Sequence, residues 1–277
     1  MPNVNLNLVD LGQGNPAIVF IHGFTCDLSS WKEQLPVLSG NCRCIAFDLP
    51  GHGESADSRE ASVEALARAV NEGLDALGLD NVVLVGHSMG CRVASETYSQ
   101  SPNRVRGVIY VDGSMLATSD ADEAMKRAVE NIERVGMARF VAQLYDGFFV
   151  DGTPAEVRDF VNAALPAVRL EFARALWPSL VRWDAARSLA VLKTIDVPVL
   201  VIQSTSMDAD LKRVSLVPGD ETPWTTAVSS AVKDVTVKIV ENVGHFPMLE
   251  TPQETNDVIS GFVQRLVAGS AADFPSE

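Results

Sequence analysis

The sequence predicts an α/β fold built on a doubly wound, mainly parallel sheet, and three observations carry that expectation. Short, continuously apolar runs recur along the chain, they alternate with segments of helical period, and one run ends in a glycine-flanked serine. A strand that is apolar at every position has both faces buried, as a parallel strand does when helices cover each side of the sheet. The chain has 277 residues, a length that suits one large α/β domain with an inserted subdomain better than two independent domains.

The elements follow in order. Ala17-Ile18-Val19-Phe20-Ile21 reads as a buried strand and Cys44-Ile45-Ala46-Phe47 as the next. From Ser62 to Leu77, apolar residues at Val63, Leu66, Ala67, Val70, Leu74 and Leu77 line one face of a helix, with Ser62 as N-cap and Gly78 as its stop. Val82-Val83-Leu84-Val85 is a strand, then comes Gly86-His87-Ser88-Met89-Gly90 and a helix-like stretch, Arg92 to Glu96. Val108 to Val111, Val199 to Ile202 and Val235 to Val240 complete the strands. The last helix is expected from Pro252 to Val267, and the tail from Gly269 to Glu277 as disordered.

Between Ser119 and Leu192 strand signals vanish. Helical periodicity covers Asp122 to Val135, Met137 to Tyr145, Pro154 to Ala164 and Arg169 to Trp177. The expected organisation is therefore a core of residues 1–118 and 193–277 with a helical cap inserted at 119–192. Aromatics concentrate in this segment, and most of them belong to its own packing. Phe148, Phe149 and Trp177, with Trp224 from the core, are candidate walls of an apolar substrate pocket.

Composition excludes several functions. The net charge is -14, from 36 acidic and 22 basic residues. Nucleic acid and anionic membrane surfaces need a basic face, so neither is an expected partner. No run reaches the ~20 apolar residues of a bilayer span. The start, Met1 to Leu6, lacks the basic and apolar regions of a signal peptide. Cys26, Cys42, Cys44 and Cys91 form no C-x-x-C pair and the four histidines are scattered, so no metal site is expected. Free thiols in a reducing cytoplasm are the simplest account. Oligomeric state has no signature in the chain.

The chemistry centres on Ser88. A serine at the apex of a strand–turn–helix has strained backbone and an exposed hydroxyl, and flanking glycines let strand and helix pass closely. A serine hydroxyl is a weak nucleophile and needs a base. His245, in Gly244-His245-Phe246-Pro247 just after the strand from Val235, reaches the same sheet edge. His22 and His52 are expected to shape turns, and His87 to point to the sheet side. Acyl transfer also needs oxyanion donors, for which the backbone N–H groups of Met89 and Phe24 are the candidates.

With these residues in hand, the chain resembles the α/β-hydrolase fold family. The matching elements are His22-Gly23-Phe24, Asp48-Leu49-Pro50-Gly51-His52-Gly53-Glu54-Ser55, Gly86-His87-Ser88-Met89-Gly90 and Gly244-His245-Phe246-Pro247-Met248-Leu249-Glu250, within residues 17 to 265. The resemblance implies a Ser-His-acid triad, an acyl-enzyme intermediate and no cofactor. The family usually places its acid after the strand preceding the histidine-bearing one. Here that loop, Gln203 to Asp210, offers Asp208 about one residue late. Certain relatives carry the acid after the strand that follows the nucleophile, where this chain has Asp112. Asp112 is the favoured acid, with Asp208 the alternative. The expected function is a serine hydrolase acting on a small-molecule carboxylic ester or lactone. A cofactor-free dioxygenase of the same fold, or a ligand receptor on a hydrolase scaffold, are the alternatives.

Overall fold

The computed structural model describes residues 6–55, 60–116, 120–208 and 211–272. Its strands are β1 (Leu8–Leu11), β2 (Ala17–Ile21), β3 (Cys44–Phe47), β4 (Val82–His87), β5 (Val105–Val111), β6 (Val199–Gln203), β7 (Thr205–Met207), β8 (Arg213–Ser215) and β9 (Val235–Ile239). Seven of them form one sheet in the order β1-β3-β2-β4-β5-β6-β9. Only β1 runs antiparallel, against β3; the other pairings are parallel. Every residue of β2, β3, β4 and β6 is buried, which is why these runs read as unbroken apolar stretches.

The helices are α1 (Leu35–Leu38), α2 (Val63–Ala76), α3 (Met89–Gln100), α4 (Ala121–Val135), α5 (Met137–Phe148), α6 (Ala155–Ala163), α7 (Leu170–Ala186), α8 (Ser188–Leu192), α9 (Pro223–Ala231), α10 (Pro247–Glu250) and α11 (Pro252–Ala272). Ser62 caps α2 as its sequence implies, its Oγ accepting the Ala65 N–H at 3.1 Å. The chain order reverses across β2 and β4, so the C-terminal ends of these strands open a crevice where an α/β sheet binds ligands.

Helices α4 to α8 fill the connection from β5 to β6. The expected division at 118/119 falls outside the described residues. Several helices run further than the sequence reading: α3 extends from Met89 to Gln100 and α5 to Phe148. α7 does not stop at Trp177 but continues through Pro178 to Ala186. A proline inside a helix costs about 3 kcal/mol. Here Leu176, Leu180 and Trp183 are buried on either side of it, and that packing holds the helix together. α11 extends past Val267 to Ala272, while 273–277 lie outside the described residues.

Two buried polar contacts tie α7 to α3. Arg92 grips Asp184 with both arms, Nε to Oδ1 at 2.8 Å and an Nη to Oδ2 at 2.6 Å, and also donates to the Ser114 carbonyl. Glu96 accepts from Trp183 Nε1 at 2.9 Å and from Arg187 at 2.9 Å. The inserted helices are thereby anchored to the helix that starts at Ser88.

Candidate active site

Ser88 sits between β4 and α3 with φ 53 and ψ -112, in the left-handed region that disfavours side chains. The glycines on either side explain why the turn forms. A Cβ on Gly86 would lie 2.2 Å from the Gly90 carbonyl oxygen, and one on Gly90 would lie 2.2 Å from that of Ile21. Only glycine allows β4, α3 and the end of β2 to come this close. Among the described residues the Ser88 hydroxyl has no hydrogen-bond partner.

His245 follows β9 in a loop held on three sides. Glu250 accepts the N–H groups of Gly244 at 3.0 Å and Phe246 at 3.3 Å. The His245 N–H donates to the Phe148 carbonyl at 3.2 Å. The His87 ring donates from Nε2 to the His245 carbonyl at 2.8 Å and lies 4.6 Å from the His245 ring. Sequence reasoning sent His87 toward the sheet but missed that it supports His245. Glu250 was legible only as part of the motif.

Asp112 directly follows β5 with φ 43 and meets His245, Oδ2 to Nδ1 at 2.6 Å. The loop that could have carried the alternative acid instead wraps this one. Oδ1 accepts the N–H groups of Ser204 at 2.9 Å and Thr205 at 2.7 Å, and Gln203 Nε2 at 3.1 Å. Oδ2 also accepts the Thr205 hydroxyl at 2.6 Å. Asp208 is exposed and turned to its own hairpin, where Oδ1 accepts the Lys212 N–H at 2.9 Å. The structure therefore brings Ser88, His245 and Asp112 to one edge and leaves Asp208 away from His245.

A residue that sequence reasoning missed completes the centre. Arg213, on β8, reaches to 3.3 Å from His245 Nε2, with another Nη 3.7 Å from Asp112 Oδ2. Its Nε is buried with no hydrogen-bond partner among the described residues. Arginine only donates, so Nε2 must be the accepting nitrogen, and the imidazole proton lies on Nδ1, facing Asp112. That is the tautomer a general base requires.

Electrostatics agree with this assignment. Burial pushes the Asp112 carboxyl up, but the hydrogen bond and charge of His245, the Arg213 charge and the Thr205 hydroxyl outweigh it and hold the group at about 2. Burial, then the Arg213 charge, pull His245 down to about 4 against the pull of Asp112. Burial also lowers Arg213. Aspartate is thus charged and imidazole neutral at pH 7.

Phe24 and Met89 line the same small cavity as Ser88, about 30 Å³ in volume, with Phe148, Trp177 and Arg213 among its walls. Neither the Phe24 nor the Met89 amide donates to another group among the described residues. The Phe24 loop is set by His22, whose Nδ1 donates to the Gly23 carbonyl at 2.8 Å while Nε2 accepts the Leu49 N–H at 3.0 Å. His52 likewise serves its own turn, donating to the Pro50 carbonyl. Of the expected pocket walls, Phe148 and Trp177 line this small cavity, whereas Phe149 lines a larger outer basin of about 920 Å³. Trp224 departs from expectation. It is buried behind β5, 5.1 Å from the Tyr110 ring and filling the space a Cβ on Gly113 would need. Among the described residues no group of three His, Cys, Asp or Glu side chains could hold a metal ion. No described helix is long and apolar enough to cross a membrane.

The chain belongs to the alpha/beta hydrolase family, whose profile matches residues 18–258. It is 36% identical over 115 residues to the dihydrolipoyllysine-residue acetyltransferase component of an acetoin cleaving system from Pseudomonas putida; the match covers 41% of this chain and only 30% of that protein's length. It is 23% identical over 263 residues, 95% of either chain, to (E)-2-((N-methylformamido)methylene)succinate hydrolase of Acinetobacter baylyi. Among solved structures, a thermophilic esterase from Thermogutta terrifontis superposes with a TM-score of 0.77 at 25% identity, over 94% of this chain and 93% of that one.

Proposed function

We propose that this alpha/beta hydrolase cleaves small carboxylic esters or lactones by a serine mechanism. The observation that carries the reading is Ser88 at a strained apex on the same sheet edge as a histidine whose Nδ1 meets Asp112. Ser88 Oγ attacks the carbonyl carbon as its proton passes to His245 Nε2. The oxyanion takes the amides of Phe24 and Met89, and Asp112 stabilises the imidazolium. His245 then protonates the departing alkoxide; in a lactone this oxygen stays tethered to the acyl group. Water, giving its proton to His245, attacks the acyl-enzyme carbonyl; the bond to Ser88 Oγ then breaks, His245 returns the proton to that oxygen, and the acid is released.

The likeness to an esterase supports ester chemistry, and the net charge of -14 favours a small molecule over nucleic acid. Residues 119–192 act as a cap over a core of 1–118 and 193–277, with Phe148 and Trp177 as pocket walls. The four unpaired cysteines suit a reducing cytoplasm. The test is hydrolysis of p-nitrophenyl acetate and butyrate together with labelling by a fluorophosphonate. Wild type is expected to turn over and to be labelled, and Ser88→Ala to lose both. A folded wild type that does neither overturns the reading.

A further inference from the structure

Arg213 is unusual because it occupies the lone pair that Ser88 needs. Its Nη lies 3.3 Å from His245 Nε2, while the Ser88 hydroxyl has no partner among the described residues. Holding the acid in place does not require it, since Asp112 already receives two backbone amides, Gln203, Thr205 and His245. The side chain is buried, and its Nε points at no acceptor among the described residues. A buried guanidinium with unused donors is poised for a further anionic partner.

Its position shows where such a partner would come from. The cavity at Ser88, about 30 Å³, has roughly the room of one water molecule. The outer basin of about 920 Å³ shares Leu144, Leu211 and Arg213 with it as a common wall. A substrate reaching Ser88 from the basin must displace that wall. Among its described lining residues the basin collects three cations, Arg134, Lys212 and Arg213, and one carboxylate, Asp146. This cationic concentration stands out in a chain of net charge -14, and it favours entry of an anion.

We infer that Arg213 selects esters or lactones that carry a free carboxylate, and that pairing with this carboxylate draws the guanidinium off His245 Nε2 and opens the base to Ser88. The inference rests on the serine-hydrolase reading above. No bond is made or broken at Arg213. It exchanges one hydrogen-bond acceptor, an imidazole nitrogen, for a charged one that takes its planar fork in two places.

The test compares p-nitrophenyl hydrogen adipate with p-nitrophenyl hexanoate, which share chain length and differ in the terminal carboxylate, after subtraction of spontaneous hydrolysis. Wild type is expected to show a kcat/KM about tenfold or more higher for the adipate ester, the size of one charge-assisted pair. Arg213→Gln should bring that ratio close to one, and Arg213→Lys should keep part of it because charge remains without the fork. Thermal melts establish that the variants are folded, and the wild-type ratio stands without them. A wild-type ratio at or below one, or a ratio unchanged in folded Arg213→Gln, overturns the inference. If hexanoate is cleaved and Ser88 is labelled but no preference for the anion exists, only this inference falls. If neither ester is cleaved and Ser88 resists fluorophosphonate, the hydrolase reading falls with it.

Discussion

Replacing Asp112 by asparagine tests the proposed centre through a single proton. The carboxylate Oδ1 accepts two backbone N–H groups and the Gln203 amide. None of the backbone donors can turn away, so the asparagine oxygen must take that position and its NH₂ must take the place of Oδ2. There it faces His245 Nδ1, now 2.6 Å from Oδ2. The Thr205 hydroxyl can rotate to accept; the imidazole can accept only by moving its proton to Nε2. A proton on Nε2 cannot coexist with the Arg213 donor at 3.3 Å, nor can that nitrogen then take a proton from Ser88. The expected loss in kcat is about 10⁴-fold, the size of the wrong-tautomer effect in Ser-His-Asp sites. Stability falls as well. An Asp112 held at about 2 in place of its ordinary 3.8 represents about 2 kcal/mol at neutral pH, stability present above the unfolded value and lost as pH falls through about 2. The corresponding drop in Tm is about 5 °C, and a thermal melt checks that the variant is folded at 25 °C. The assay is steady-state hydrolysis of p-nitrophenyl butyrate, with Asp208→Asn alongside and expected within about twofold of wild type, since an exposed turn residue does not touch the centre. A folded Asp112→Asn that keeps a tenth of the activity, or an Asp208→Asn that loses it, refutes the assignment.

Three further predictions follow from the geometry. Burial lowers all four histidines, His245 to about 4 and His52 to about 3. Each is neutral when folded and protonated near 6.5 when unfolded, so stability is full above 6.5 and declines as pH falls below it, by up to about 1.4 kcal/mol per pH unit for each histidine. The acid limb of kcat/KM should then lie well below pH 6.5, with Tm already falling at pH 5; an activity midpoint at 6.5 with unchanged Tm contradicts this. Asp184→Ala leaves Arg92 buried without its carboxylate and should cost about 3–5 kcal/mol, seen as a fall in Tm of about 10 °C; a loss under 2 °C would show that the helices do not depend on this pair. Gly90→Ala forces a Cβ to 2.2 Å from the Ile21 carbonyl and should destabilise the fold by about 3 kcal/mol, measured by urea denaturation against the exposed control Gly219→Ala, which meets nothing within 4 Å but carries its own cost from a φ of +96.

Much of this architecture is legible in the chain because burial on both faces leaves a simple record. The runs at β2 and β3 are apolar throughout and those at β4 and β6 until their last residues, His87 and Gln203, and the glycines around Ser88 are dictated by backbone contacts that no other residue permits. β1 escaped notice because an edge strand with a half-exposed face, Leu-Val-Asp-Leu, has no continuous apolar run. The continuation of α7 escaped because Pro178 is a local stop signal overruled by packing that only the tertiary structure supplies. Trp224 shows the limit of composition. A large aromatic near the sheet edge suits a pocket wall or a core plug equally, and the nearby Gly113, which makes room for its indole, gave no directional signal.

Arg213 was missed for a different reason, one that also links the location of the acid to its presence. A loop after β6 that carried the acid would have to aim a carboxylate at His245 and would be fixed by that task. In this chain the carboxylate comes from the end of β5, and the segment after β6 contributes its backbone instead, two N–H groups to Asp112 Oδ1. Those contacts depend on where the chain passes and not on which side chains it bears. The segment is therefore free to continue as β7 and turn at Asp208 into β8, whose first residue is Arg213. In the proposed centre this hairpin delivers a cation to the His245 imidazole. Thr205 is the pivot of this arrangement, since it donates to Asp112 through both N–H and hydroxyl and its hydroxyl oxygen receives Arg213 at 3.4 Å. Thr205→Val keeps the shape and the N–H while deleting that oxygen. It should raise the Asp112 carboxyl and lower kcat by several-fold, far less than Asp112→Asn, because His245 keeps its tautomer. A loss as large as that of Asp112→Asn would mean that the hydroxyl, and not the carboxylate alone, sets the proton.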